Sequence, residues 1–253
     1  MTLYLSRLRL RRDPAVEALS ALLTPRDEAW AMDANHRLVW SAFADDPDRR
    51  RDFLWRAEGR GAFLVLSARP PAASPFFEPA EVKPFAPDLR PRDRLSFALR
   101  ANATRTVRTG DLTAAGKERR AHIDLVMDRL RPIPGQTGLP TGATSERPAC
   151  RMALAREAAL AWMTAQGERH GFVLAERPCR DGSEHDLTVS DYSVVALPGH
   201  VGKRAGQPQF GVLDLVGTLD ITDPAAFVIR LGQGFGRAKA FGCGLMLIRR
   251  AAG

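Results

Sequence analysis

The side chains able to carry chemistry in this chain are few and scattered. They comprise five histidines (His36, His122, His170, His185 and His200), three cysteines and one run of glycines near the end. Imidazole is the group best matched to moving a proton near neutral pH, so acid–base chemistry without a metal would turn on a histidine. Cys150, Cys179 and Cys243 are far apart and show no Cys-x-x-Cys or Cys/His spacing. That argues against a disulfide framework and a structural zinc site, and fits a reducing compartment. No metal-ligand cluster is visible, and none is expected.

The glycine run, Gly232-Gln-Gly-Phe-Gly-Arg-Ala-Lys-Ala-Phe-Gly-Cys-Gly244, invites a phosphate-loop reading. Dinucleotide and phosphate-loop fingerprints need a strand before the glycines and a helix after them. Here a helix enters, a strand leaves, and no helix N-terminus follows to hold a pyrophosphate, so a nucleotide cofactor is not expected. Freed backbone amides beside Arg237 and Lys239 would suit a phosphodiester backbone. A tight packing turn explains the same glycines equally well.

Alternation of apolar residues over Thr2 to Arg11 predicts a first strand. Thr24-Pro25, with Asp27 and Glu28 in the first turn, predicts a helix running to about Ala44. Met32, His36, Trp40 and Phe43 share one face of it, which on the residues alone describes a hydrogen-bonded interfacial histidine. Short strands are predicted at 52–58, 62–69 and 80–85, and a linker at 87–91. Beyond it the patterns predict a strand at 94–105, a helix at 118–130, a mobile loop at 131–149 and a helix at 150–166. Strands at 172–176, 186–197 and 210–221 follow, the last two forming a long hairpin with Lys203 and Arg204 near its tip. Asp223-Pro224 caps a short helix at 225–231, and a strand at 245–250 closes the chain. This order predicts an α+β fold of two split βαβ units with antiparallel sheets, residues 1–88 and 89–253, rather than a doubly wound sheet.

The composition is that of a folded protein: 45% hydrophobic and 26% charged over 253 residues, enough for one large or two small domains. No stretch approaches the roughly 18 apolar residues of a membrane span, so a soluble, cytoplasmic protein without a membrane partner is expected. A net charge of +8 favours a polyanion such as nucleic acid. Only Lys83, Lys117, Lys203 and Lys239 among 37 basic residues are lysines, a skew that can equally record genome composition.

A helix, the run Gly232 to Gly244 followed by Leu245, and a terminal strand together resemble the C-terminal signature of the CasE family, the CRISPR RNA-processing endoribonucleases of the type I-E Cascade complex. The likeness continues in order along the chain. Met1 to Leu10 is similar to the family's opening strand, and Asn35-His-Arg-Leu-Val-Trp-Ser-Ala-Phe43 to its H-x-x-L/V-W-x-x-F helix. Arg51-Asp-Phe-Leu-Trp-Arg56 resembles its R-D-F-L strand, and Arg94 to Thr104 its Arg-Ala-Asn strand.

The resemblance implies two tandem ferredoxin-like domains and a cofactor-free, metal-independent endoribonuclease. Such an enzyme cuts each repeat of a CRISPR transcript at the base of its stem-loop, leaves 2′,3′-cyclic phosphate and 5′-hydroxyl ends, and stays bound with the other Cascade subunits. His36 falls on the family's catalytic position, implying a general acid for the leaving 5′-oxygen. Relatives carry a tyrosine several residues before this histidine, whereas this chain has Asp33, one turn from His36. There a carboxylate can favour the protonated imidazole, or simply face solvent. The general base is left open, and the absent tyrosine also suits a noncatalytic RNA-binding subunit of the same fold. RNA contacts are expected from Gly232, Gly234, Gly236, Arg237 and Lys239 in the glycine run, from Lys203 and Arg204 on the hairpin, and from Arg100 and Arg105. Arg7, Arg9, Arg11 and Arg49 to Arg51 read as solvated faces.

Overall fold

The computed structural model describes residues 2–23, 25, 27–46, 48–112, 116–129, 146–180, 182–196 and 209–251. The first sheet is built from β1 (Leu3–Arg9), β2 (Phe53–Gly59), β3 (Ala62–Ser67) and β4 (Glu81–Phe85) in the order β2-β3-β1-β4, every pair antiparallel. Two one-turn helices, α1 (Pro14–Glu17) and α2 (Ser20–Leu23), precede α3 (Glu28–Ser41), which crosses from β1 to β2. Leu38, Val39 and Phe43 of α3 and its C-terminal cap press onto Phe53, Trp55, Phe63 and Val65, the Phe43 and Phe53 rings stacking at 4.7 Å. Each such apolar side chain contributes about 1.5–3 kcal/mol when fully buried.

The second half opens with β5 (Arg94–Ala101), the β6 (Thr104–Leu112) and β7 (Glu118–Asp124) hairpin, α4 (Leu125–Arg129) and the long α5 (Glu146–His170). After α5 come β8 (Phe172–Leu174), the small β9 (Glu176–Cys179) and β10 (Gly182–His185) hairpin, β11 (Leu187–Ala196) and β12 (Gln209–Ile221). Then α6 (Pro224–Gln233), a single 3-10 turn at Lys239–Phe241 and β13 (Met246–Arg250) complete it. The main sheet runs β11-β12-β5-β13, again antiparallel, with β8 paired to the end of β12. Leu95, Phe97, Leu99 and Ala101 alternate into the core under α5 and α6, as the period-two pattern of β5 requires. A smaller cluster of Leu54, Leu66 and Leu245 joins the two halves. The architecture is therefore a mixed α+β fold with antiparallel sheets.

Several boundaries differ from the sequence reading. The helix around His36 starts at Glu28, because the Asp27 carboxylate accepts from the Trp30 amide at 3.0 Å and so acts as the cap; Thr24 lies outside the described residues. The helix expected at 118–130 is a strand for most of its length. Its alternating Arg120 and His122 pair with β6, and the Asp124 carboxylate, accepting from Val126 and Met127 at 3.1 and 3.0 Å, starts only the short α4. The strand expected at 94–105 breaks at Asn102, whose side chain turns inward to bond other segments. Helix α5 begins at Glu146, four residues earlier than expected, while the rest of the 131–149 loop expectation falls outside the described residues. The strand expected at 172–176 divides into β8 and β9. The one-turn helices and the β9–β10 hairpin carry too few periodic residues to register in a sequence pattern.

Candidate active site

Helix α3 carries His36 on the same side as Met32 and Trp40, and that side faces the glycine-rich segment. Met32 packs against a cluster of Val195, Val212 and Cys243, as does Ala238, and the ring of Trp40 lies 6.2 Å from His36. An open cleft of about 520 Å³ forms there, lined by His36, Arg37, Trp40, Arg51 and Ala240. Its walls thus come from α3, from the residues just before β2, and from the 3-10 turn after α6.

The glycine-rich segment reaches this position because its glycines allow close approach. A side chain at Gly234 would strike Leu54, one at Gly236 would come within 2.4 Å of the Asn102 carbonyl, and one at Gly242 would press on Trp55. The Trp55 indole donates to the Ala240 carbonyl at 3.3 Å, fixing the residue that lines the cleft. The amides of Phe235, Arg237 and Gly244 donate to Gly244, Asn102 and Arg100 carbonyls at 2.9, 3.2 and 2.7 Å. Those amides are spent on the fold, and the packing explanation of the glycines has a contact behind each one. Gly232 lies in the last turn of α6, against Leu3.

A polar junction holds the segment from behind. The Asn102 amide nitrogen donates to Asp124 Oδ2 at 3.0 Å and to the Gly211 carbonyl at 2.8 Å, while the Gly211 amide donates to the same Asp124 oxygen at 3.0 Å. Sequence reasoning passed over Asp124 and Gly211; an Asn breaking an otherwise regular alternation was the available signal.

His36 is half-buried, and its Nε2 is enclosed without a hydrogen-bond partner among the described residues. Burial holds its pKa below the ordinary 6.5; Arg51 and, more weakly, Arg37 add to that, while Asp33 opposes it. At neutral pH the free imidazole is therefore mainly uncharged. The Asp33 carboxylate does not reach the imidazole as a direct partner: it is bound at 2.9 Å by Arg37, one turn on, and acts on His36 only through space.

The remaining sequence-derived residues are distributed around this centre. Lys239 is half-buried, donates to the Gln233 carbonyl at 2.5 Å, and has its pKa lowered by burial and by Arg230 and Arg51. Arg237 is exposed and donates to His122 Nε2 at 2.9 Å, leaving Nδ1 for the Thr106 hydroxyl at 3.1 Å. Arg100 pairs with Asp214 at 3.6 Å and Arg105 with Asp128 at 2.7 Å. Lys203 and Arg204 lie outside the described residues. Cys243 is buried and its thiol is pushed up to about 12 by that burial, so it is inert. Among the described residues no three His, Cys, Asp or Glu side chains converge as metal ligands would, and no helix is long and apolar enough to cross a membrane. Arg51, read from sequence as part of a solvated face, is a cleft residue that sequence reasoning missed, as are Arg37 and Ala240.

A family model described as CRISPR associated protein matches residues 3–250. The CRISPR system Cascade subunit CasE of Escherichia coli (strain K12) is 24% identical over 229 residues, 86% of this chain and 92% of that protein. Thermus thermophilus Cse3, bound to an RNA representing a pre-cleavage complex, superposes with a TM-score of 0.60 at 22% identity, over 98% of this chain and 100% of that one. A structure of CRISPR endoribonuclease Cse3 bound to 19 nt RNA gives 0.59 at 22% identity, with the same coverage of 98% and 100%.

Proposed function

Because the chain belongs to the CRISPR-associated CasE/Cse3 (Cas6e) family, we propose that it is the endoribonuclease that cuts CRISPR precursor RNA within each repeat, at the base of the stem-loop. It remains on the mature guide RNA as a Cascade subunit, in keeping with the Cascade subunit and the RNA-bound Cse3 that it resembles. The observation that carries this reading is His36, a half-buried imidazole with an unpartnered Nε2 at an open cleft.

In the reaction the ribose 2′-hydroxyl passes its proton to solvent water at the open cleft and its oxygen attacks the adjacent phosphorus. The bond from phosphorus to the 5′-oxygen breaks, leaving a 2′,3′-cyclic phosphate, and His36 gives its proton to the departing oxygen. No metal is required for these steps, and positioning in line does much of the work. Asp33 supports the protonated state of His36 from a distance, a weaker role than a bonded partner would have.

The shared strand order of the two sheets, each built from a β-α-β-β run and a last strand that α6 precedes in the second half, supports two ferredoxin-like units over residues 1–88 and 89–253. The loop between β3 and β4 stands where the second helix of the first unit would be. Arg237 and Lys239, with Gly232, Gly234 and Gly236 shaping their segment, meet the RNA together with Arg100 and Arg105. Backbone charge dominates such a path, because an RNA stem hides its base edges in a narrow groove.

The test incubates repeat RNA with the protein in chelator. Cleavage that disappears when the ribose before the scissile phosphate is 2′-deoxy, and again in His36→Ala, supports the reading. Tight binding of the stem-loop with no cleavage by the wild-type protein assigns a noncatalytic RNA-binding subunit instead.

A further inference from the structure

We propose that Arg51 is a second catalytic residue of the cleft, its guanidinium gripping the non-bridging oxygens of the phosphate on which His36 acts. The inference rests on the endoribonuclease reading and adds to it the group that meets the phosphate charge.

Arg51 is held at the cleft by its neighbours in sequence. Asp52 is bonded by Arg69 at 2.9 Å, and Phe53 is wedged between Phe43 and Trp40 at ring distances of 4.7 and 5.1 Å. The backbone that carries Arg51 is thus fixed beneath Trp40, the residue one turn beyond His36. Its side chain is exposed and lines the cleft. Among the described residues it makes neither an ion pair nor a hydrogen bond, whereas Arg49, two residues earlier, is paired with Asp45 at 2.9 Å.

The charges around the cleft do not balance. Arg51 approaches from the residues just before β2, Arg37 and Asp33 from α3 itself, and Lys239 from the glycine-rich segment. The carboxylate of Asp33 is taken by Arg37, which leaves Arg51 without a counter-charge among the described residues. Its field reaches both His36 and Lys239 and weakens the hold of each on its proton. An arginine fork matches two phosphate oxygens, and a phosphodiester would supply the missing negative charge. During attack, charge builds on those same oxygens, so the contact strengthens in the transition state.

A consequence follows for the proton. In the empty cleft Arg51 disfavours imidazolium; once a phosphate neutralises Arg51, His36 binds its proton more firmly. Substrate thereby loads the acid that cleaves it, and the pKa governing saturated cleavage lies above that of the free protein.

The test compares wild type with Arg51→Gln and Arg51→Lys in the full chain, with a thermal melt of each. Single-turnover cleavage of repeat RNA is expected to fall by about 10²-fold or more in Arg51→Gln, the size seen when one transition-state donor is removed. Binding of uncleavable 2′-deoxy RNA should change less than about tenfold, as expected for one contact among many. Arg51→Lys should recover part of the rate. In parallel, NMR titration of the His36 ring should give a higher pKa in free Arg51→Gln than in wild type. Inorganic phosphate should raise that pKa in wild type and leave it unmoved in Arg51→Gln. Cleavage within about twofold of wild type in a folded Arg51→Gln, or an unaltered phosphate response, overturns the proposal. If wild type cuts no repeat RNA, the endoribonuclease reading falls by itself, and the phosphate titration still decides whether Arg51 binds phosphate.

Discussion

Behind the glycine-rich segment, Asn102, Asp124 and Gly211 exchange three hydrogen bonds of 2.8–3.0 Å; in front of it, His36 keeps an enclosed nitrogen with no partner among the described residues. The two sites flank one piece of chain and draw on similar polar chemistry. A buried polar group left unsatisfied costs about 1–3 kcal/mol, so proteins saturate those that serve only to hold a fold. The Asn102 and Asp124 side chains and the Gly211 backbone follow that rule, and His36 departs from it. Rigidity behind thus supports openness in front, because a segment pinned by Asn102 keeps Ala240 at the cleft wall without help from the cleft itself.

Substitutions that trade stability against activity test this division directly. His36→Ala should lower the cleavage rate by about 10²-fold or more, the usual contribution of a positioned acid, and leave urea unfolding nearly unchanged. Asn102→Ala should do the reverse: about 2 kcal/mol of stability lost in urea unfolding, since Asp124 and the Gly211 carbonyl lose their donor. A third substitution separates backbone strain from contact. Gly242 (φ 77°) and Gly110 (φ 79°) share a left-handed backbone, but only Gly242 faces a neighbour, Trp55 at 3.2 Å. Gly242→Ala should cost roughly 1 kcal/mol more than Gly110→Ala and slow cleavage as Ala240 shifts, whereas Gly110→Ala should leave the rate alone.

Smaller effects refine the picture of the open site. Asp33→Asn removes the charge that favours imidazolium and releases Arg37, so cleavage at pH 7 should fall by about two- to threefold and recover at lower pH. That is the scale of a surface charge pair of roughly 0.5 kcal/mol. Because the folded protein holds the His36 pKa below 6.5, the native state binds fewer protons there than the unfolded chain. The resulting stability is present above pH 6.5 and is lost as pH falls through the lowered native value; His36→Gln should flatten that acid-side decline in melting temperature.

Much of this was readable before any fold was built. Period-two alternation located β1 and β5, and Asp223-Pro224 marked the start of α6, where the carboxylate accepts from the Ala226 amide at 3.0 Å. His36 stood out through the motif around it. Arg51 did not, because a run of three arginines looks alike in sequence and only their partners tell them apart. The β7 strand was mistaken for helix because β6, its partner, decides its conformation, and pairing between segments leaves little trace in either one alone.

Local patterns settled what each segment tends to become, since caps, alternation and turns act over a few residues. What the three-dimensional arrangement alone decided was which polar groups find partners. Asn102 meets Gly211 across 109 residues and the Trp55 indole meets Ala240 across 185, and nothing nearby in the chain foretells such meetings. The unpaired His36 nitrogen and the unpaired Arg51 are decided in the same way, by what the packed chain brings near them and what it leaves away.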